Sequence, residues 1–213
     1  LTATPCLLLT ARDISELKHA QAQVQHLAYH DSLTNLPNRA LLLDRLTQQI
    51  ALLKRHELRG ALLFLDLDHF KHINDSLGHP VGDAVLKLVT ARLEASVRQE
   101  DTVARLGGDE FAVLICGADA EEHARDIARR LLAELAQPVS YGAERLTVTI
   151  SIGVALYPQH AHTFTSLYKA ADEMLYKVKA RGRSGSAVCG EDGELSSSAR
   201  LQLDVLNVPS GLG

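Results

Sequence analysis

One stretch of sequence decides the fold: Ala61-Leu62-Leu63-Phe64-Leu65-Asp66-Leu67-Asp68. It is apolar at every position until its carboxylates, and this pattern predicts a central β-strand that is covered on both faces. Helical patterns lie on either side of it, over about 39–55 and 80–98. The first helix would begin after Asn38, a potential N-cap, and bury one apolar face. That face is expected to consist of Leu42, Leu43, Leu46, Ile50 and Leu53.

Strands and helices continue to alternate along the rest of the chain. Thr102 to Leu106 and Phe111 to Cys116 predict two short strands that are joined as a hairpin. Three further elements follow: a helix over about 119–136, a strand over 145–157 and a helix over 164–181. The sequence therefore predicts an α/β (α+β) domain over about 30–185, with a central sheet flanked by helices.

Size and charge limit the classes of function. The chain has 213 residues, which suits one ordinary domain but not two full enzyme domains. Its net charge of −4 provides no global basic field, so we expect no nucleic-acid partner. The three cysteines are widely spaced and form no CxxC pair, which favours a reducing cytoplasm. No apolar run reaches the roughly 20 residues that a membrane-spanning helix needs.

The two ends of the chain differ from its middle. Residues 1–12 have the pattern of a last strand of an upstream domain, and 186–213 have the composition of a C-terminal linker. Residues 13–29 predict a polar helix with apolar side chains at a/d spacing. This spacing suits a short paired helix that transmits a signal, and it suits equally an amphipathic helix that lies on its own domain. The apolar positions are Leu17, Ala20, Val24 and Leu27.

Acidic residues at the end of the central strand are the first indication of chemistry. Asp66 and Asp68 are expected to point to one face, and buried carboxylates are unfavourable unless they are paired or bound to a metal. For Asp68 we expect a cap on the next helix, whereas the deeper Asp66 favours metal ligation. If the hairpin pairs beside this strand, Asp109 faces Asp66, and the two carboxylates form an oxygen-rich site for Mg²⁺.

The turn of the hairpin is Gly107-Gly108-Asp109-Glu110. Two glycines permit positive φ angles and let the backbone approach a phosphate that a Cβ atom would block. By itself the turn could equally be a solvated hairpin tip. Its expected position beside Asp66 favours phosphate binding.

Two further pairs of residues are weaker indications of nucleotide binding. Asn74 and Asp83 could recognise a base, since a carboxylate suits the adjacent N–H donors of guanine, although ordinary surface polarity also explains them. Lys179 and Arg183 are four residues apart at the end of the last predicted helix, where this spacing places both on one face. They could clamp phosphates or oppose the helix dipole, and the spacing does not decide between these interpretations.

Five motifs together resemble the GGDEF diguanylate cyclase family. They are HDSLTNLPNR (30–39), FLDLDHFKHINDSLGHPVGD (64–83), RLGGDEF (105–111), SIGVALYP (151–158) and ADEMLYKVKARGR (171–183). The resemblance covers nearly all of 27–185 and implies a fold similar to class III nucleotidyl cyclases and polymerase palms. It also implies an enzyme that condenses two GTP molecules into cyclic di-GMP, uses Mg²⁺ or Mn²⁺, and acts as a homodimer because each domain holds one GTP.

The resemblance further implies roles for individual residues. The metal would be held by Asp66, Asp109 and the backbone carbonyl of Leu67. Asp109 and Glu110 would assist deprotonation of the attacking hydroxyl group. The substrate-binding set would comprise guanine readers (Asn74, Asp83), phosphate contacts (Lys71, Lys179, Arg183) and neighbours of the nucleotide (Phe70, His79, Gly107, Gly108).

An RxxD motif, Arg98-Gln99-Glu100-Asp101, precedes the hairpin. The family carries its product-inhibition site at this position, so the resemblance implies that Arg98 and Asp101 bind cyclic di-GMP. The alternative is an ordinary ion pair between residues i and i+3 at a helix end.

The flanking segments and the alternative function follow from the same resemblance. Leu8 to Ser15 resembles the exit of a PAS sensor domain, and 195–206 resembles a linker that leads to an EAL phosphodiesterase domain. A GTP- or cyclic di-GMP-binding module without catalysis, which controls such a phosphodiesterase, is therefore the alternative to an active cyclase. The presence of Asp66, Asp109 and Glu110 favours the cyclase.

Overall fold

A computed structural model describes residues 23–141, 144–190 and 196–197. The predicted upstream strand over 1–12, the first part of the helix over 13–29 and most of the predicted C-terminal linker lie outside the described residues. Residues 23–29 are helical, as predicted for that part of the chain. Within the described residues, no helix has both the length and the apolar character needed to cross a membrane.

Helices and strands alternate after this N-terminal segment. In chain order they are α1 (Arg39–His56), β1 (Gly60–Leu67), α2 (Phe70–Leu77), α3 (His79–Ser96), β2 (Thr102–Gly107), β3 (Glu110–Cys116), α4 (Ala120–Leu135), β4 (Val139–Tyr141), β5 (Glu144–Leu146), β6 (Ile150–Tyr157), α5 (Phe164–Ala180), β7 (Gly185–Val188) and β8 (Ser196–Ser197). The predicted N-cap of α1 is confirmed, because the Asn38 side chain accepts a hydrogen bond from the Leu41 N–H.

The main sheet has the strand order β2-β3-β1-β6-β7-β8. Strand β1 pairs antiparallel with both β3 and β6, and all eight of its residues are buried. Strands β2 and β3 form the predicted hairpin, while β6 pairs parallel with β7. The predicted mixed α/β fold, with a mostly antiparallel sheet flanked by helices, is confirmed.

Alternation along β1 divides the core between the two faces of the sheet. Leu63 and Leu65 pack in a cluster with apolar residues of α3 and α4. Leu62 and Phe64 pack in a second cluster with residues of α1 and α5. Because each fully buried leucine contributes about 2 kcal/mol, these clusters hold β1 firmly in the centre of the domain.

Gly153 of β6 permits an unusually close approach of α5 to the sheet. A Cβ atom at this position would collide with the backbone of the helix, at the Ala171 carbonyl oxygen and the Leu175 nitrogen. The glycine therefore sets the distance between α5 and the strands. The position of α5 matters for the candidate site because its last turn carries Lys179.

The strand predicted over 145–157 is divided in the structure. Strand β5 ends at Leu146 and pairs with β4 in a separate two-stranded sheet, whereas β6 begins at Ile150. The intervening Thr147-Val148-Thr149 is rich in β-branched residues, so its composition alone predicts a continuous strand. Contacts of Thr149 with Asp68 replace strand pairing there, with the Asp68 N–H 2.9 Å from the Thr149 carbonyl oxygen.

Two other boundaries differ from the predictions. The segment after Asp68 contains a separate helix, α2, which is divided from α3 at Gly78, where φ is 85°. The C-terminal linker was predicted to begin at residue 186. The sheet extends past this point, because β7 pairs with β6 from Gly185 to Val188. The structured domain therefore includes the first residues of that predicted linker.

Candidate active site

The register of β1 and β3 brings the two acidic motifs together. Asp66 lies opposite Glu110 in the antiparallel ladder. Beyond it, the Leu67 N–H donates to the Asp109 carbonyl oxygen at 3.2 Å. Asp66 was predicted to face Asp109; in the ladder it faces Glu110 instead, with Asp109 one residue further along, at the edge of the sheet where β1 ends.

Asp66 is paired with a cation from α5. Lys179 Nζ lies 2.7 Å from Asp66 Oδ2. Burial raises the pKa of the Asp66 carboxyl above its ordinary value; the hydrogen bond from Lys179 opposes this shift, while the negative charges of Asp109 and Asp68 add to it. The net shift of this pKa is upward, because Lys179 offsets only part of the effect of burial and of the neighbouring acids.

The donor chemistry of this edge fits a hard divalent cation. Asp66 and Asp109 offer carboxylate oxygens at the end of β1, and the Leu67 N–H is bonded to the Asp109 carbonyl oxygen. Within the described ranges, no three acidic, histidine or cysteine side chains converge to hold a metal by themselves. Mg²⁺ usually takes only one or two carboxylates and completes its shell with water and substrate phosphates. The residues therefore fit a metal ion that binds together with a nucleotide.

Both glycines of the hairpin turn adopt positive φ angles, 138° at Gly107 and 52° at Gly108. A Cβ atom added at either position would meet no atom within 4 Å, so the turn faces open space. The predicted need for positive φ is confirmed. The open space leaves room for a ligand against the backbone of the turn.

Arg105 holds this turn in place, a role that the sequence did not reveal. Its guanidinium donates two hydrogen bonds to the Gly108 carbonyl oxygen, at 3.1 Å from Nε and 2.7 Å from a terminal nitrogen. The other terminal nitrogen donates to Asp31 Oδ1 at 2.8 Å. Both side chains are mostly buried, with exposed fractions of 10% and 22%. The N-terminal loop and the hairpin are thus joined through one arginine.

Asp31 is itself fixed by its own loop. Its Oδ1 accepts hydrogen bonds from the Thr34 N–H at 2.9 Å and the Thr34 hydroxyl at 2.6 Å. Burial alone raises the pKa of Asp31, but the hydrogen bonds from Thr34 and Arg105 outweigh it and hold the pKa below its ordinary value. Asp31 and Arg105 both lie in the motifs quoted above, but the sequence did not predict that their side chains are in contact.

Glu110 lies next to the cation of Arg39. Arg39 lies with a terminal nitrogen 3.6 Å from Glu110 Oε2, and its other terminal nitrogen donates to the Tyr168 hydroxyl at 2.9 Å. Both charged side chains are about half exposed, so this ion pair contributes little to stability. Glu110 is therefore accessible to a ligand at the edge of the sheet.

Asp68 does not cap the next helix, contrary to the prediction. The N-cap of α2 is His69, which has a φ of 59° and makes no capping hydrogen bond through its side chain. Asp68 instead accepts hydrogen bonds from the Ser151 hydroxyl at 2.7 Å, the Thr149 hydroxyl at 2.8 Å and the Ser184 N–H at 3.0 Å. The left-handed His69 separates Asp68 from the helix, so its carboxylate faces β6 and the end of α5.

Lys179 and Arg183 do not share a helical face, so that prediction was wrong for Arg183. Helix α5 ends at Ala180, and Gly182, Arg183 and Ser184 all have left-handed backbones, with φ of 111°, 65° and 49°. Glycine ends helices in this way because it adopts positive φ without strain. Lys179 therefore points to Asp66, while Arg183 lies in the following turn with an exposed side chain.

Comparison with known proteins identifies the domain. The family described as "Diguanylate cyclase, GGDEF domain" matches residues 28–185. The chain belongs to this family. Its GGDEF domain thus contains the β1 edge, the hairpin and the Lys179 contact described above.

Several curated relatives share this domain. The bifunctional diguanylate cyclase/cyclic di-GMP phosphodiesterase MucR of Pseudomonas aeruginosa is 41% identical over 193 residues, which cover 91% of this chain and 28% of MucR. Diguanylate cyclase TpbB of the same species is 41% identical over 79% of this chain and 39% of TpbB. Cyclic di-GMP phosphodiesterase NbdA is 37% identical over 90% of this chain and 24% of NbdA. The chain therefore spans well under half the length of these relatives.

Solved GGDEF domains share the fold. The GGDEF domain of TpbB from P. aeruginosa aligns with a TM-score of 0.73 at 40% identity, covering 75% of this chain and 94% of that one. The coiled coil and GGDEF domain of DgcB from Caulobacter crescentus, in complex with c-di-GMP, aligns with a TM-score of 0.75 at 28% identity, covering 82% and 93%. These matches support the cyclase-type fold that the sequence predicted.

The expected guanine readers of the GGDEF domain lie where α2 meets α3. The Asn74 side chain packs on Gly82, where a Cβ atom would collide with Asn74 Oδ1 and crowd the ring of Phe70. Gly82 thus lets Asn74 approach the start of α3, next to Asp83. Phe70 is buried and Asn74 is half-buried. Of the predicted set on α2 and α3, Lys71, His79 and Asp83 are exposed.

The RxxD motif makes a different contact from the ion pair considered for it. The Arg98 N–H donates to Asp101 Oδ2 at 2.9 Å, but the Arg98 guanidinium pairs with Asp119, with a shortest distance of 2.8 Å. Asp101 also lies 2.9 Å from His123 Nε2, and its side chain is only 1% exposed. The Arg98 hydrogen bond lowers the pKa of Asp119. Arg98 is thus held by an acidic side chain outside the motif.

Proposed function

We propose that this GGDEF domain is a diguanylate cyclase that condenses two GTP molecules into cyclic di-GMP and two pyrophosphates. The observation that carries the proposal is the convergence of Asp66, Asp109 and Glu110 at the open end of β1. The carboxylates there suit a metal ion that binds together with a nucleotide. The names of TpbB and DgcP, both diguanylate cyclases of P. aeruginosa, support the same reaction.

In the proposed reaction, the 3′-hydroxyl oxygen of one GTP bonds to the α-phosphorus of the other, and the bond to pyrophosphate breaks. A second such step closes the ring. Asp66, Asp109 and the Leu67 carbonyl would hold Mg²⁺ or Mn²⁺, which would lower the pKa of the hydroxyl group and neutralise the leaving group. Asp109 and Glu110 would orient the hydroxyl group and assist the loss of its proton.

The remaining predicted residues would position the nucleotide. Asp83 would accept hydrogen bonds from guanine N–H groups, with Asn74 beside it and with Phe70 and His79 nearby. The backbone at Gly107 and Gly108 would lie against phosphates, since the turn faces open space. The cations assigned to phosphates are Lys71, Lys179 and Arg183.

Catalysis would require two copies of the chain. Each domain would hold one GTP, so the attacking and leaving groups meet only when two domains face each other. The N-terminal helical segment supports pairing, because Val24 and Leu27 are each 67% exposed on it and recur at a/d spacing. In the full protein, an upstream sensor domain of PAS type would control this pairing, and an EAL domain would follow.

Product inhibition is proposed at Arg98 and Asp101. Cyclic di-GMP would offer its phosphate and guanine to the Arg98 guanidinium, which Asp119 now occupies. Asp101 is buried between the Arg98 N–H and His123, so it would mainly fix the backbone at Arg98. This arrangement supports an inhibitory site in which the product competes with Asp119.

A module without catalysis is the second candidate, because one relative of similar identity, NbdA, is named only as a phosphodiesterase. One experiment separates the candidates. The chain is fused at its N-terminus to a parallel dimeric coiled coil and incubated with GTP and Mg²⁺, and the nucleotides are separated by chromatography. Formation of cyclic di-GMP by the dimer supports the cyclase. Binding of GTP without any product would support the regulatory module instead.

A further inference from the structure

We propose that Asp68 is a positioning residue that locks the turn after α5, so that Lys179 and Arg183 face the nucleotide. The proposal rests on the proposed function for the identity of that nucleotide, GTP. It assigns Asp68 no contact with substrate or metal. Its role is to fix the backbone that carries two phosphate-binding cations.

Three hydrogen bonds occupy most of the acceptor capacity of the Asp68 carboxylate, which has about four lone-pair sites. Oδ1 accepts from Ser151, and Oδ2 accepts from both Thr149 and the Ser184 N–H. The residue is only 4% exposed. A buried carboxylate needs such donors because burial removes the water that would otherwise solvate it. Asp68 therefore serves as an internal link between β1, the start of β6 and the turn after α5.

The turn after α5 needs an external support. Arg183 and Ser184 have left-handed backbones although neither is glycine, and consecutive non-glycine residues rarely adopt this conformation. Hydrogen bonds hold the backbone there: the Arg183 N–H donates to the Val178 carbonyl oxygen at 3.1 Å, and the Ser184 N–H donates to Asp68. The second of these bonds ties the turn to the sheet.

The end of β1 and the segment directly after it thus hold the end of α5 at two points. Asp66 binds the side chain of Lys179, and Asp68 binds the backbone of Ser184. When Lys179 turns from Asp66 to a phosphate, the first point is lost. The second point involves no substrate group and persists. Asp68 therefore keeps the helix end in place while Lys179 changes partner.

The test uses Asp68→Asn, because an amide NH₂ group cannot accept the hydrogen bonds that one carboxylate oxygen now accepts. Hydrogen exchange of the Ser184 amide is measured by NMR, and GTP affinity is measured with Ca²⁺ in place of Mg²⁺ to prevent turnover. We expect exchange of Ser184 to accelerate and the Kd for GTP to rise about tenfold, the effect of losing one charge-assisted hydrogen bond. The exposed Asp172→Asn on α5 is the surface control, and it should change neither quantity.

Ser151→Ala separates positioning from general destabilisation. It removes the bond to Oδ1 and leaves the Ser184 bond to Oδ2. It should lower the melting temperature while Ser184 stays protected and GTP affinity stays unchanged. In addition, Lys179→Ala should weaken GTP binding much less in the Asp68→Asn background than in the wild type.

Several results would overturn the proposal. One is an equal loss of GTP affinity in Asp68→Asn and Ser151→Ala. Another is an unchanged GTP affinity in Asp68→Asn although the Ser184 amide exchanges faster. A third is that the effects of Asp68→Asn and Lys179→Ala on GTP affinity are additive. If Asp68→Asn does not fold, the test uses the wild type, in which hydrogen exchange of the Ser184 amide is compared with and without GTP. Faster exchange of this amide in the GTP complex would also exclude the proposed role of Asp68. A coiled-coil dimer of the wild type that binds GTP but forms no cyclic di-GMP would refute the cyclase and leave the positioning result intact.

Discussion

Lys179 Nζ lies 2.7 Å from Asp66 Oδ2, so a cation of the last helix rests on the carboxylate expected to hold the metal. The contact with Lys179 does not offset the cost of burying this carboxylate, because the pKa of Asp66 remains raised by burial and by its acidic neighbours. The site is therefore built at a cost to the stability of the metal-free fold. This relationship leads to the first prediction.

Asp66→Asn should stabilise the metal-free protein at neutral pH while it abolishes cyclase activity. A raised folded-state pKa means that the stability contributed by protonated Asp66 is present below the ordinary pKa and is lost as pH rises through the raised value. The variant avoids that loss, so its melting temperature in EDTA should exceed that of the wild type by about 2–4 °C at pH 7. The difference should shrink as pH falls toward 4. A lower melting temperature at pH 7 would show that the Lys179 pair outweighs the burial of charge.

Arg105→Ala should loosen the hairpin turn. The guanidinium holds the Gly108 carbonyl and Asp31 together, and hydrogen bonds of charged groups contribute about 1.5–3 kcal/mol. We expect unfolding free energy to fall by roughly that amount and kcat to fall more than the KM for GTP changes, since the catalytic acids follow this turn. Urea unfolding and steady-state kinetics measure the two effects. Equal kinetics in variant and wild type would show that the turn needs no such support.

Asp31→Asn is the partner variant for the same contact. The pKa of Asp31 is lowered in the folded state, so its contribution to stability is present above the ordinary pKa and is lost as pH falls through the lowered value. The stability difference between variant and wild type should therefore be full at pH 7 and disappear in acid. A double-mutant cycle with Arg105→Ala should show coupling at pH 7. Independent, additive losses would mean that the 2.8 Å contact between these side chains carries no energy.

Asp119→Ala should strengthen inhibition by cyclic di-GMP, whereas Arg98→Ala should relieve it. Asp119 now occupies the guanidinium of Arg98, so its removal frees the cation for the product. Calorimetric titration with cyclic di-GMP should give tighter binding for Asp119→Ala and weaker binding for Arg98→Ala. Asp126→Ala, an exposed acid on α4, is a matched control. If Arg98→Ala binds cyclic di-GMP as tightly as the wild type does, the RxxD motif is not part of an inhibitory site.

Gly153→Ala should destabilise the domain strongly. The added Cβ would collide with the backbone of α5, which cannot rotate away as a side chain can. Overpacking of this kind typically costs about 1–3 kcal/mol, and displacement of α5 would also move Lys179 away from Asp66. Thermal unfolding measures the first effect and GTP affinity the second. If Gly153→Ala is as stable as the wild type, α5 moves away from the added Cβ atom without a loss of unfolding free energy.

Much of the fold and of the acidic site was predictable because the signals are local. The apolar run of β1 ends in carboxylates, and ladder pairing with the hairpin places Glu110 opposite Asp66, with Asp109 next to it. The contact of Arg105 with Asp31 was not predictable, since it joins residues 74 positions apart. The break between β5 and β6 was missed because Thr147-Val148-Thr149 has strand propensity, while its partner is Asp68 rather than another strand. The position of Arg183 was missed because Gly182 ends the helix first.

The reaction itself is tested by counting products. The coiled-coil dimer of the chain is given GTP and Mg²⁺, and cyclic di-GMP and pyrophosphate are quantified beside an Asp109→Ala dimer that binds GTP. We predict two pyrophosphates for each cyclic di-GMP in the wild type and no product from Asp109→Ala. A wild-type dimer that binds GTP but releases no cyclic di-GMP would contradict a catalytic role for the acidic edge of the sheet.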